Sequence, residues 1–471
     1  MLDFIKLYRT PLLFALISVA FYTSFAYDLD RSDFIKLITL YAGLFYLAYL
    51  FIEKWKLKFS WLLGFGIISR LLFLVAIPNL SQDFYRFIWD GRLLFQGINP
   101  YLFTPEIFLN TNSTEPVLSA VEGLGVTIEQ ANKLYEGMGA LNASHFSNYP
   151  PVNQLCFAIA ALFAGKSILG SVIIMRFIII LADVGILYFG RKLLKNLNLN
   201  PNNIFWYFLN PFIIIEMTGN LHFESVMLFF VTWSLYLLHK RKWFWAAILL
   251  GISVSVKLLP LLFLPLFFQY FSEKKFFKYG ILKLLGFYTV VLAVAGLTFL
   301  PFLSSEFITN FSTTLALWFQ NFEFNASVYY IIRWVGFQIN GYNIIETVGK
   351  ILPLITIAFL LFLTFFRKNI STKKIIVGML FGVSVYFLFS TTVHPWYIAT
   401  PLLLSVFTKY KFPIIWSFVV MLSYSAYGTD GFSENLWLVA LEYLIAAGYG
   451  GFEIWKSSCQ VSSTCKVSKT L

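Results

Sequence analysis

The chain has 471 residues, of which 59% are hydrophobic and 12% charged, with a mean hydropathy of +0.74. A soluble domain carries about twice that charge fraction, which excludes a soluble globular enzyme. The net charge of +12 is not the footprint of a nucleic-acid binder, because the lysines and arginines sit in short loops between apolar blocks.

The first apolar block, "TPLLFALISVAFYTSFAY", is long enough to cross the hydrocarbon as a helix. It follows Lys6 and Arg9 without a small-x-small cleavage pattern, so it reads as a retained span. Similar blocks recur along the chain, and the alternating polarity of a membrane β-barrel is absent. The expected fold is an all-α polytopic membrane bundle of about 12–14 helices. Cys156, Cys459 and Cys465 make no disulfide framework.

Spans near 10–27, 36–52 and 60–78 come first, with the N-terminus on the cytoplasmic side. Basic loops at 53–58, 191–195, 239–242, 272–278, 367–374 and 409–411 belong to the cytoplasmic face. They place 28–33, the large loop 79–150, the loop 301–345, and the segments 390–397 and 428–434 on the outer face. The stretch 151–190 is too long for one span and breaks at "AGKS" (164–167), so a re-entrant or interfacial helix is expected over 152–165. Residues 203–217 and 397–408 read as short spans. One membrane domain is expected over 1–452, with 453–471 a polar cytoplasmic tail. A sequon at Asn112 lies in the first large loop. No GxxxxGK[ST] loop is present for a nucleotide, and no inverted repeat suggests a transporter built from two halves.

Polar residues cluster on the outer face. In "SQDFYRFIWDGRLLFQGINPYLFTP" (81–105), Asp83, Arg86 and Asp90 have the spacing of one helix face, and Gly97 and Pro100 end the helix. An interfacial helix is expected, aromatics toward lipid and charges toward water or substrate. "SHFSNYPPVNQ" (144–154) carries His145 and Tyr149. "NPFIIIEMTGNLHFESVM" (210–227) carries Glu216, Asn220, His222 and Glu224. Lys257 is embedded in "SVSVKLLP", where a lysine wants an anion. "NFEFNASVYYIIRW" (321–334) and "STTVHPWY" (390–397), with His394 and Trp396, complete the set. A lone histidine at a helix end is ordinarily a surface residue. Carboxylates, His, Lys and Arg on one membrane face fit one chemistry: a carboxylate takes a proton from a hydroxyl nucleophile, and cations hold a phosphate leaving group.

The stretch 83–101 resembles the first outer loop of the GT-C superfamily of polyprenyl-phosphate-sugar-dependent glycosyltransferases. It is most similar to a mannosyltransferase-like branch related more distantly to the GPI mannosyltransferases. That branch reads D-x-Y-R-Y-x-W-D-G-R and then G-x-N-P-Y. The matching residues are Asp83, Tyr85, Arg86, Trp89, Asp90, Gly91, Arg92, Gly97, Asn99, Pro100 and Tyr101. "NYPPVNQ", "MRFIIILADVGIL" with Arg176 and Asp183, "VSVKLLPLLFLP" and "HPWYIATPLLL" agree with it, so the resemblance covers most of 80–400.

The resemblance implies an inverting transfer of a hexose, mannose first, from a polyprenyl-phosphate donor to a glycan or lipid-linked acceptor on the extracytoplasmic face of the cell membrane. It implies a catalytic acid in the first large loop, Asp83 as first choice of base and Asp90 as second. Arg86, Arg92 and Lys257 are expected at the donor phosphate. His222, Glu224, Asn220, Tyr149, His394 and Trp396 are expected to position donor or acceptor. Branches of the superfamily differ in metal use. Asp83 and Asp90 stand about 10 Å apart on one helix, so no obligatory ion is expected, although Mg or Mn stays open. The competing reading is a polyprenyl-lipid or sugar transporter, which should show internal symmetry and access from both faces.

Overall fold

The computed structural model describes residues 2–55, 57–109, 128–272, 277–429 and 431–467. The Asn112 sequon lies outside them. The protein is an all-α polytopic membrane protein, and the described residues include one two-stranded hairpin, Tyr427–Gly428 against Gly431–Phe432.

Among the described residues, five helices are long and apolar enough to cross a bilayer: Arg9–Tyr27, Phe34–Lys54, Ile168–Asn196, Tyr279–Phe302 and Ile345–Phe365. A sixth candidate span is broken, Ile213–Gly219 and Glu224–His239 meeting at 112°. Shorter apolar helices, including Phe59–Leu71, Pro151–Ala164, Trp243–Val256 and Pro395–Val406, pack among them. One helix runs from Leu436 to Val467, across the expected start of the tail at residue 453.

The break at 164–167 falls where the sequence suggested. Gly165 takes φ +53, and the Ser167 hydroxyl caps the Ile168–Asn196 helix at Gly170 N. The expected span at 60–78 is shorter, because its helix ends at Leu71. Thirteen residues reach only about 20 Å. The carbonyls just beyond its end are taken by Arg176, whose Nη1 donates to Leu74 O (2.9 Å) and Ala76 O (2.8 Å). Those groups are satisfied without further helical turns. Arg70, in the last turn, pairs with Asp183 of the long helix at 2.9 Å with both side chains wholly buried. Asp183 also accepts from Ser225 (2.7 Å) and Tyr207 (3.2 Å), so both oxygens of the carboxylate are hydrogen-bonded.

The motif helix runs Asp83–Phe95. Its end is a Schellman cap: Ile98 N donates to Leu93 O, Gly97 N to Leu94 O, and Gly97 sits at φ +79. The helix does not turn its charges toward water. Arg86, Asp90 and Arg92 are buried along with Phe84, Phe87 and Trp89. On one side the Pro151–Ala164 helix comes so close that a Cβ on Gly91 would stand 2.3 Å from Phe157 O. On the other, residues 131–145 fold over it: Gln82 donates to Met138 O (2.9 Å) and Arg86 to Asn142 O and His145 O (2.8 Å each). Burial is the reason the amphipathic expectation fails here. Its charges are matched by side chains and carbonyls rather than by water.

The glycine of "WDGR" is therefore a packing requirement. Gly91→Ala would meet backbone, which cannot rotate away, and is expected to cost about 1–3 kcal/mol. A fall in the melting temperature of the detergent-purified variant checks this. An unchanged value would show that the two helices can separate freely.

Candidate active site

The two motif aspartates have opposite surroundings. Asp90 is wholly buried. Its Oδ1 accepts from Arg86 Nε at 2.8 Å, and its Oδ2 accepts from Ser147 (2.5 Å) and Gln154 (2.9 Å). Asp83, at the first turn of the same helix, is half-buried. Among the described residues its carboxylate has neither an ion pair nor a hydrogen bond. Burial pushes its pKa from 3.8 up to about 6, offset in part by the charges of Lys257 and Arg31 and reinforced by Glu224. A carboxylate poised near neutrality, with no partner, can take a proton.

Lys257 and Glu224 reach this point by a helical hairpin. The helices Glu224–His239 and Trp243–Val256 run antiparallel about the turn at Lys240–Arg241, and the two residues lie equally far from it. Their side chains form an ion pair, with Glu224 buried and Lys257 partly accessible. Lys257 thus reaches the site with its charge largely answered.

The broken span supplies the opposite wall. Residues 220–223 interrupt it, with Leu221 at φ +64, a region costly for a side chain of its size. Leu80 N donates to Asn220 Oδ1 at 3.1 Å, joining the break to the approach of the motif helix. Arg176 holds the same break from below, donating to Thr218 O (2.7 Å) and Gly219 O (2.8 Å). Within the break His222 stacks on Trp396, centroids 3.7 Å apart, and Trp396 stacks on His394 at 4.5 Å. Glu216 accepts from Tyr424 at 2.8 Å and stands 3.6 Å from His222 Nε2.

Arg176→Lys is expected to destabilise the protein by about 2–4 kcal/mol, because an ammonium cannot fork to four carbonyls on two segments. Thermal unfolding in detergent measures this, and a wild-type melting temperature would remove the clasp from the description.

Several residues chosen from sequence therefore meet. Asp83, Lys257 and Glu224 share one electrostatic neighbourhood, and His222, Trp396 and His394 form one ring stack. Asp90 and Arg86, read as a second base and a phosphate ligand, are spent on each other. Arg92 is committed elsewhere: it donates to the carbonyls of Glu129 and of Lys166, the latter at 2.9 Å. Tyr149 contributes its ring edge-on to Phe87 and its carbonyl to Tyr101 (2.6 Å). Arg31, Tyr424 and Tyr427 were not picked out from sequence. Arg31 had only its place in a short polar connection between two spans to mark it, and the tyrosines had no signal at all. Among the described residues no three His, Cys, Asp or Glu side chains converge as metal ligands.

A sequence profile described as alpha-(1->6)-mannopyranosyltransferase, N-terminal domain, matches residues 26–272. The chain belongs to this family. The matched stretch contains Asp83, the broken span and Lys257, and it ends before the His394–Trp396 stack. The chain is 24% identical over 391 residues to alpha-(1->6)-mannopyranosyltransferase A of Corynebacterium glutamicum, covering 74% of this chain and 72% of that protein. It is 19% identical over 346 residues to alpha-(1->6)-mannopyranosyltransferase A of Mycobacterium tuberculosis, covering 70% of this chain. The chain spans 61% of the length of that mycobacterial relative.

Proposed function

We propose that this protein is a membrane mannosyltransferase. It moves mannose from a polyprenyl-phosphate donor to a hydroxyl of a glycan or lipid-linked acceptor on the extracytoplasmic face, with inversion. The observation that carries this reading is the state of Asp83: half-buried, unpartnered, held near neutrality, and within reach of the charge of Lys257. The names of the two relatives support the sugar and the reaction type.

The mechanism follows from the groups. The acceptor hydroxyl attacks the anomeric carbon while Asp83 takes its proton. The bond from that carbon to the phosphate oxygen breaks on the opposite face, and the phosphate leaves with the electron pair. Lys257, ion-paired with Glu224, adds a largely answered positive charge near the departing phosphate. Inversion would give the α product of the relatives' names only from a β-linked donor. His394, the half-buried end of the stack with Trp396 and His222, is the ring that meets a sugar. Asp90, Arg86, Ser147 and Gln154 hold the motif helix in place and do not touch substrate.

The test uses purified protein in detergent with polyprenyl-phosphate-[14C]mannose, polyprenyl-phosphate-glucose or a nucleotide-mannose, and a membrane glycan extract as acceptor. Transfer from the lipid-linked mannose alone, into an α linkage, is expected. Transfer from the nucleotide sugar would overturn the donor. Retained lipid binding without transfer from any donor would favour a transporter.

A further inference from the structure

We infer that Arg31, in the short connection between the first two spans, is a phosphate-binding residue that grips the donor's phosphate beside Asp83. The inference rests on the donor proposed above.

Three aspartates flank Arg31, and each is engaged elsewhere. Asp28 pairs with Lys36 at 2.7 Å. Asp30 accepts from the Ser32 backbone (2.8 Å) and hydroxyl (2.6 Å). Asp33 caps the Phe34–Tyr49 helix at Lys36 N, 3.0 Å away. Arg31 turns away from all three. Its guanidinium carbon lies 3.2 Å over the centroid of the Tyr427 ring. Its Nε is buried without a hydrogen-bond partner, and among the described residues no carboxylate lies within 4.0 Å of it. Tyr427 also ties Arg31 to the site. Burial raises its hydroxyl pKa, and the largest charge effects on it come from Arg31, Asp83, Glu434 and Glu216.

The other cations nearby are accounted for. Lys257 is paired with Glu224, Arg86 with Asp90 and Arg70 with Asp183. Arg176 and Arg92 donate to backbone carbonyls. A phosphate leaving group needs a charge that is still unanswered, and Arg31 has one. Stacking on Tyr427 fixes the plane of the guanidinium and leaves its N–H edge to fork to two phosphate oxygens. A half-buried guanidinium without an anion is costly, so a bound phosphate completes the arrangement.

The experiment compares wild type, Arg31→Gln and Arg31→Lys in detergent, using polyprenyl phosphate, neutral polyprenol and inorganic phosphate as probes. Binding is read as a shift in melting temperature, and transfer as kcat and KM for polyprenyl-phosphate-mannose. Polyprenyl phosphate is expected to stabilise wild type and polyprenol is not. Arg31→Gln is expected to weaken polyprenyl-phosphate binding by about tenfold or more and to raise KM more than it lowers kcat. Arg31→Lys, which keeps the charge and loses the fork, should fall between. Weaker competition by inorganic phosphate in Arg31→Gln would place the contact on the phosphate rather than the lipid chain. Wild-type affinity in Arg31→Gln overturns the inference and leaves the proposed function standing. Failure of wild type to bind polyprenyl phosphate overturns both. Should Arg31→Gln unfold, as judged without ligand, Arg31→Lys decides: unaltered binding and KM would sink the forked contact.

Discussion

Asp83→Asn is expected to lower mannose transfer by about 10²–10⁴-fold while leaving the melting temperature unchanged or raised. The two halves of this result come from one cause. Burial holds the folded-state pKa near 6, against 3.8 for an ordinary aspartate. A carboxyl raised by folding weakens the fold wherever it is ionised. That penalty is absent below about pH 4, grows as pH rises to about 6, and remains in full above. Asparagine never ionises, so the variant escapes the penalty at neutral pH. Activity moves the other way. The base works only when deprotonated, so kcat/KM of the wild type should climb through about pH 6 and level off above. A pH profile with no acid limb near that value, or a variant that retains activity, would take the base role from Asp83.

Asp90→Asn, seven residues on, should fail in the opposite manner. It leaves the Arg86 guanidinium buried without its counter-charge and disturbs the bonds from Ser147 and Gln154. A cost of about 3–5 kcal/mol is expected, seen as poor yield and a sharply lower melting temperature. Whatever folded protein remains should keep a near-normal KM. Replacing both partners with apolar residues, Arg86→Met with Asp90→Leu, should be milder than the single change, because no charge is stranded. A stable, inactive Asp90→Asn would refute this assignment and return Asp90 to the list of bases.

The contrast between these aspartates bears on what a reader of the chain can see. The membrane class, the break near Gly165 and the Gly97 cap were legible, because hydropathy, glycine and proline act locally. The polar segments around the site were legible as residue types. Which charges cancel was not. Asp90 finds Ser147 and Gln154 far along the chain, and nothing in "DFYRFIWDGR" announces that they will bury it. His222 and Trp396 were each visible as polar-aromatic residues at an apparent helix end. Their stacking depends on how distant helices pack. Arg31 was hidden because the aspartates around it suggest local pairing, which the fold assigns to Lys36, Ser32 and a helix cap instead.

The four carbonyls gathered by Arg176 have a mechanical consequence. Two belong to the chain leading into Asp83, and two to the bend leading into His222. Neither segment can swing without stripping a guanidinium in the interior of bonds that no water is at hand to replace. The wall carrying Asp83 and the wall carrying the stacked rings therefore behave as one rigid jaw. Any substrate entering the site must be accommodated by the elements facing that jaw. In amide exchange, residues 74–80 and 218–222 should open together and late.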